Sequence, residues 1–97
     1  MLTSKQRAFL RGLANKQNAI FQIGKGGITQ EIISELDIAL EKRELIKVTV
    51  LETAFMTPRE ACDEVCECLG ADGVQCIGNR FVIYRESKEN KEIVLPK

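Results

Sequence analysis

Three glycines and a lysine stand together at Gly24-Lys25-Gly26-Gly27, between a short apolar run and the start of a helical pattern. Such a loop suits one kind of chemistry, the holding of a phosphate. Glycine accepts backbone conformations closed to other residues and leaves no Cβ in a ligand's way. A helix that follows turns free amides and a partial positive charge toward the same spot, and Lys25 adds a full charge. Spacing excludes two nucleotide-binding patterns. A P-loop needs Ser or Thr directly after its lysine, and a dinucleotide fingerprint needs a third glycine where Thr29 stands. What remains is Gly-x-x-Gly, the clamp that KH modules close on a nucleic-acid backbone. The competing reading is an ordinary glycine turn between strand and helix.

Other residue types offer less. The chain has no His, which removes the commonest general base and zinc ligand and every Ser–His or Cys–His nucleophile. Cys62, Cys66, Cys68 and Cys76 lie close in sequence, but structural zinc favours two close pairs. Cys62 and Cys66 fall on the apolar stripe of a helix and read as small hydrophobes, with Cys68 at its edge. No metal, cofactor or catalytic residue is expected. Glu60 and Glu64 are paired carboxylates on a solvated helix face with no cleft implied. Phe81 and Tyr84 could stack bases, with core burial the default for at least one of them.

Fourteen basic and fourteen acidic side chains cancel. The neutral total hides a segregation. Residues 1–30 carry Lys5, Arg7, Arg11, Lys16 and Lys25 and no acid, whereas residues 31–44 are net acidic. Residues 60–73 hold Glu60, Asp63, Glu64, Glu67 and Asp72 and no base. A fold that keeps these blocks apart would present a basic face opposite an acidic one.

The elements that must position these groups follow from periodicity. At 97 residues the chain is one domain. Thr3 and Gln6 form a capping-box pattern, and Phe9, Leu10 and Leu13 recur at helical spacing, predicting a helix over about residues 4–15. Arg7 and Arg11 then lie on the face away from those apolar positions. Residues 19–23 read as a buried strand. From Ile28 the period becomes helical again, and Ile32, Ile33, Leu36, Ala39 and Leu40 share one arc, with Ile38 at an edge or exposed. Residues 45–51 are β-branched and mostly apolar, a second strand. Thr57-Pro58-Arg59-Glu60 combines an N-cap, Pro at N1 and Glu at N3, and Gly70 suits the C-cap. Gly78-Asn79 joins strands 74–77 and 80–84 as a two-residue hairpin. The fold class is therefore α/β, in the order α-β-α-β-α-β-β, with three helices and a four-stranded mixed sheet. Two parallel β-α-β passages and a terminal antiparallel hairpin are expected. The segment 86–97 alternates Lys and Glu and is expected to fray, although Ile93, Val94 and Leu95 could dock.

Several stretches together resemble the CRM domain: Leu2-Thr3-x-Lys5-Gln6, Leu10-Arg11-x-Leu13-Ala14, Ile23-Gly24-Lys25-Gly26-Gly27-Ile28, Glu44-Leu45-Ile46-Lys47-Val48, Val74-Gln75-x-Ile77-Gly78 and Tyr84-Arg85. The likeness covers essentially the whole chain and is narrower still to stand-alone bacterial YhbY-type proteins. It implies an RNA-binding domain whose sheet resembles the C-terminal half of a bacterial translation initiation factor. It also implies association with precursors of the large ribosomal subunit. The family's glycine loop falls on Gly24, Lys25, Gly26 and Gly27, and its basic first helix on Lys5, Arg7 and Arg11. One departure is the neutral net charge, so RNA affinity must rest on local charge.

The resulting expectation is a non-enzymatic RNA-binding protein that acts on ribosomal RNA, with no membrane or small-molecule partner. Lys16 extends its positive track, and Lys47, Arg80 and Arg85 are weaker candidates on the sheet. The alternative is a protein–protein adaptor that docks a basic partner on the acidic third helix. The N-terminus lacks the apolar stretch of a signal peptide, and no apolar run approaches the ~18 residues that span a bilayer. A cytoplasmic protein is expected.

Overall fold

A computed structural model describes residues 2–97. In chain order the elements are α1 (Ser4–Ala14), β1 (Phe21–Ile23), α2 (Gln30–Arg43), β2 (Leu45–Val50), a short 3-10 turn (Glu52–Ala54), α3 (Pro58–Leu69), β3 (Asp72–Ile77) and β4 (Arg80–Tyr84). The sheet order is β1-β2-β4-β3. β1 and β2 are parallel, while β4 runs antiparallel to both of its neighbours. The α3 crossover therefore steps over one strand, and the returning hairpin places β4 in the gap. Three helices and a four-stranded mixed sheet match the sequence expectation.

Local chemistry sets the helix ends. Thr3 and Gln6 close one capping box, with the Gln6 amide donating to Thr3 Oγ1 at 3.1 Å and the Thr3 amide to Gln6 Oε1 at 3.0 Å. Thr57 and Glu60 close a second one at the start of α3. Gly70 ends α3 in the left-handed region. Each box satisfies two amides that the helix itself leaves free.

Alternation along β2 and β4 builds two cores on opposite faces of the sheet. Ile46, Val48, Phe81 and Ile83 face α2 and α3, and pack with Leu36, Leu40, Ala61, Cys62 and Val65. Leu45, Val82 and Tyr84 face α1, and pack with Leu2, Leu10, Ala14 and Val74. The molecule is thus three layers deep, with α1 alone on one side. Phe81 and Tyr84 are both buried, so neither is free to stack on a base.

Four local expectations change. The first strand is shorter than residues 19–23 and only Ile23 is buried; Ile20 is 55% exposed, because it lies before the strand begins. The α1 stripe that meets the sheet is Leu10, Leu13 and Ala14, with Phe9 turned outward. Arg7 and Arg11 are consequently half-buried along the flank of that stripe and do not lie on the opposite face. The second helix begins at Gln30, after an N-cap at Thr29, and not at Ile28. Finally, the segment 86–97 is tied down and not frayed. Glu44, fully buried at the end of α2, accepts the amides of Ser87, Glu92 and Ile93, each at 2.8 Å. Ile93 and Leu95 pack on the α1-side core, and Gln6 Nε2 donates to the Pro96 carbonyl.

Candidate nucleic-acid interface

The glycine loop is a tight turn closed by the Gly27 amide donating to the Gly24 carbonyl at 2.8 Å. Lys25 and Gly26 form its exposed tip. Gly27 has φ +67°, a conformation that side chains disfavour. Gly26 is different. Its φ is ordinary, and a Cβ there would meet only Thr29 Cγ2, at 3.6 Å. Nothing inside the fold requires a glycine at the tip. α2 starts three residues past Gly27, at Gln30, and Thr29 Oγ1 already accepts the Ile32 amide. The helix thus offers fewer free amides to the loop than a direct strand–glycine–helix junction would.

The loop sits at the sheet end where β1, β2 and β3 finish and β4 begins. The Val50 amide donates to the Asn79 carbonyl at 2.7 Å there, next to the hairpin turn. Arg80 is exposed at this end and shares a shallow depression with Asn15, Lys47, Gln75 and Ile77 on the α1 side of the sheet. Lys47 is half-buried and its Nζ donates to the Gln17 carbonyl at 3.0 Å. Lys16, one residue past Asn15, is exposed. At the far end of α1, Arg7 Nε donates to the Gly73 carbonyl at 3.2 Å, and Lys5 is exposed. Arg7 and Lys25 therefore mark diagonally opposite corners of the sheet, roughly 20 Å apart from strand spacing and rise. The structure does not converge these cations on one pocket; only Lys47 and Arg80 share a depression.

Arg85 leaves the group. Its guanidinium donates to Asp37 Oδ1 at 2.8 Å, to Glu41 Oε1 at 3.3 Å, and to the Leu69 and Asp37 carbonyls. It ties α2 to α3 on the opposite face. Sequence pattern placed it on the sheet, but β4 ends at Tyr84 and Arg85 is the first residue beyond it, free to turn toward α2.

The charge blocks separate as the sequence allowed. α1 carries Lys5, Arg7 and Arg11 and no acid, while α3, across the sheet, exposes Glu60, Asp63, Glu64 and Glu67. One side chain escaped sequence reasoning altogether. Phe55 is 93% exposed just after the 3-10 turn, in a stretch too short to show any periodicity.

Cys62 is buried, Cys66 half-buried, and Cys68 and Cys76 exposed. The Cys62 thiol is pushed up by its hydrogen bond to Cys66 and by burial, and the same bond holds Cys66 below the ordinary thiol value. Among the described residues, no helix is long and apolar enough to cross a membrane.

Comparison with known proteins agrees with this architecture. Residues 2–85 match the model of the CRS1 / YhbY (CRM) domain. A Bacillus subtilis protein named "Probable RNA-binding protein YqeI" is 46% identical over 96 residues, covering 99% of this chain and all of that protein. A Haemophilus influenzae protein named "RNA-binding protein" is 38% identical over 96 residues, covering 99% of this chain and 96% of its own length. The solution structure of a Staphylococcus aureus protein superposes with a TM-score of 0.79 at 49% identity, covering 99% of this chain and all of that one. This chain belongs to the CRS1 / YhbY (CRM) domain family.

Proposed function

We propose that the protein binds RNA through its glycine loop and the basic α1 face, and that its target is ribosomal RNA in precursors of the large subunit. The observation that carries the reading is Gly26. It is exposed, unstrained and free of internal contacts that would demand glycine, which leaves the loop tip open to close approach by a partner. A phosphodiester backbone fits that vacancy, with the loop amides and Lys25 holding phosphates. Lys5, Arg7, Arg11 and Lys16 extend the positive track along α1, and Lys47 and Arg80 continue it onto the sheet.

The names of two relatives support RNA as the ligand. The likeness to stand-alone YhbY-type proteins supports the ribosomal target, and a target in assembling subunits is consistent with action in the cytoplasm. The protein acts by binding and not by catalysis. Crosslinking in cells, followed by sequencing of the attached RNA, tests the target. Enrichment of large-subunit precursor sequence over mature ribosomal RNA is expected. Crosslinks that merely follow RNA abundance would contradict the ribosomal assignment.

A further inference from the structure

Among the described residues, two that are not glycine have positive φ: Glu44 at 65° and Phe55 at 53°. Such a conformation is uncommon, and for a bulky residue a genuine outlier. Glu44 has an internal reason, since its carboxylate gathers three amides of the C-terminal segment. Phe55 has none. Its φ and ψ of 53° and 38° end the 3-10 turn, a task that glycine or asparagine performs with less strain. Its ring is 93% exposed and belongs to neither core. Strain and exposed apolar area meet at one residue without structural return.

The position of that residue is fixed. The Ala54 and Phe55 amides donate to the Leu51 and Glu52 carbonyls, at 3.0 and 3.1 Å. The turn is fastened to the glycine loop, because the Leu51 amide donates to the Ile23 carbonyl at 2.9 Å. A Cβ on Gly24 would lie 3.4 Å from Leu51 Cδ1 and 3.7 Å from Thr53 Oγ1. An aromatic ring is thus presented to solvent from a turn whose Leu51 and Thr53 lie against the first residue of the loop.

We propose that Phe55 is a stacking platform for an unpaired nucleobase of the RNA strand whose phosphates the glycine loop holds. This deepens the RNA-binding reading and rests on it. It assigns the ligand class, single-stranded or looped RNA, because bases inside an A-form duplex offer no free face to a ring.

The chain contains no tryptophan, so Phe55→Trp installs a single reporter at the site. A short single-stranded oligoribonucleotide should quench its fluorescence, at concentrations where the same sequence in duplex form and a free mononucleotide leave it unchanged. Phe55→Ala should weaken single-strand binding by about 5- to 150-fold, the range spanned by one base–aromatic stack. Phe55→Gly should weaken it similarly while melting at a higher temperature than wild type, because it relieves the backbone. A role in folding alone would not separate affinity from stability in this way. Wild-type affinity in Phe55→Ala and Phe55→Gly, with no quenching of Phe55→Trp, would overturn the stacking and leave the glycine loop standing. Equal quenching by duplex would overturn the unpaired base. Failure of wild type to bind either RNA would bring down the RNA reading as well.

Discussion

The carboxylate of Glu44 accepts the amide of Ile93 at 2.8 Å, across 49 positions of sequence. With Ser87 and Glu92 donating as well, one buried side chain at the end of α2 fixes the segment that follows β4. Burial alone raises the carboxyl, but the amides of Ile93, Ser87 and Glu92, aided by the Lys91 charge, outweigh it and leave its pKa below the ordinary 4.5.

Acid should therefore loosen this segment. A lowered folded pKa means that the stabilisation is complete above about pH 4.5 and is lost as the pH falls through the folded value. Amide exchange at Ser87, Glu92 and Ile93 should accelerate on acidification before exchange in β4 does. Glu44→Gln should remove about 2–3 kcal/mol of stability at neutral pH, since a neutral amide cannot accept three amides as a carboxylate does. Unchanged exchange at Ile93 in that variant would show that the segment is held by packing alone.

Arg85 and Arg80 should separate in their effects. Arg85→Ala breaks the link to Asp37, Glu41 and Leu69, and should lower stability by about 1–2 kcal/mol without altering the salt dependence of RNA binding. Arg80→Ala should do the reverse. Thermal melts paired with binding curves decide the matter, and a loss of RNA affinity only in Arg85→Ala would reverse the assigned faces.

The acidic face gives a control. Glu64→Lys and Glu67→Lys add positive charge on the side of the sheet away from α1, so RNA affinity should not fall. A marked loss in a folded variant would mean that RNA approaches across α3.

The thiols are expected to be dispensable for binding. Cys62→Ala should cost about 1 kcal/mol as a small core cavity, and Cys66→Ala less, with RNA affinity kept in both. Alkylation should reach Cys68 well before Cys62, which is buried and held as a thiol. One equivalent of zinc in purified protein would contradict the core-filling role.

Most of the fold was legible because its signals are local. Thr3 with Gln6, and Thr57 with Glu60, mark helix starts within four residues, and the hairpin turn is two residues long. What escaped depends on distant partners. Nothing near Glu44 announces amides almost fifty positions away. Nothing in the alternation of β4 says that Arg85 meets Asp37 on α2. Arg7 and Arg11 were recognised as cations, but their half-buried placement follows from which arc of α1 the sheet selects. Phe55 lies in a connection without periodicity, where only the backbone angle and the exposed ring mark it.

The central claim is that the glycine loop holds phosphates, and a salt titration tests it most directly. About four contacts, from Lys5, Arg7, Arg11 and Lys25, predict that log affinity falls against log salt with a slope of roughly −3 for single strands, made steeper by any contact that Lys16, Lys47 or Arg80 adds. Lys25→Ala should weaken binding alike across RNA sequences and flatten the slope by about 0.7, one contact's share. Gly26→Asp should do more harm while remaining folded by circular dichroism, because the site admits a Cβ but a phosphate would then meet a carboxylate. If both variants stay folded and bind ribosomal RNA fragments like wild type at every salt concentration, the loop is only a turn and the account is wrong.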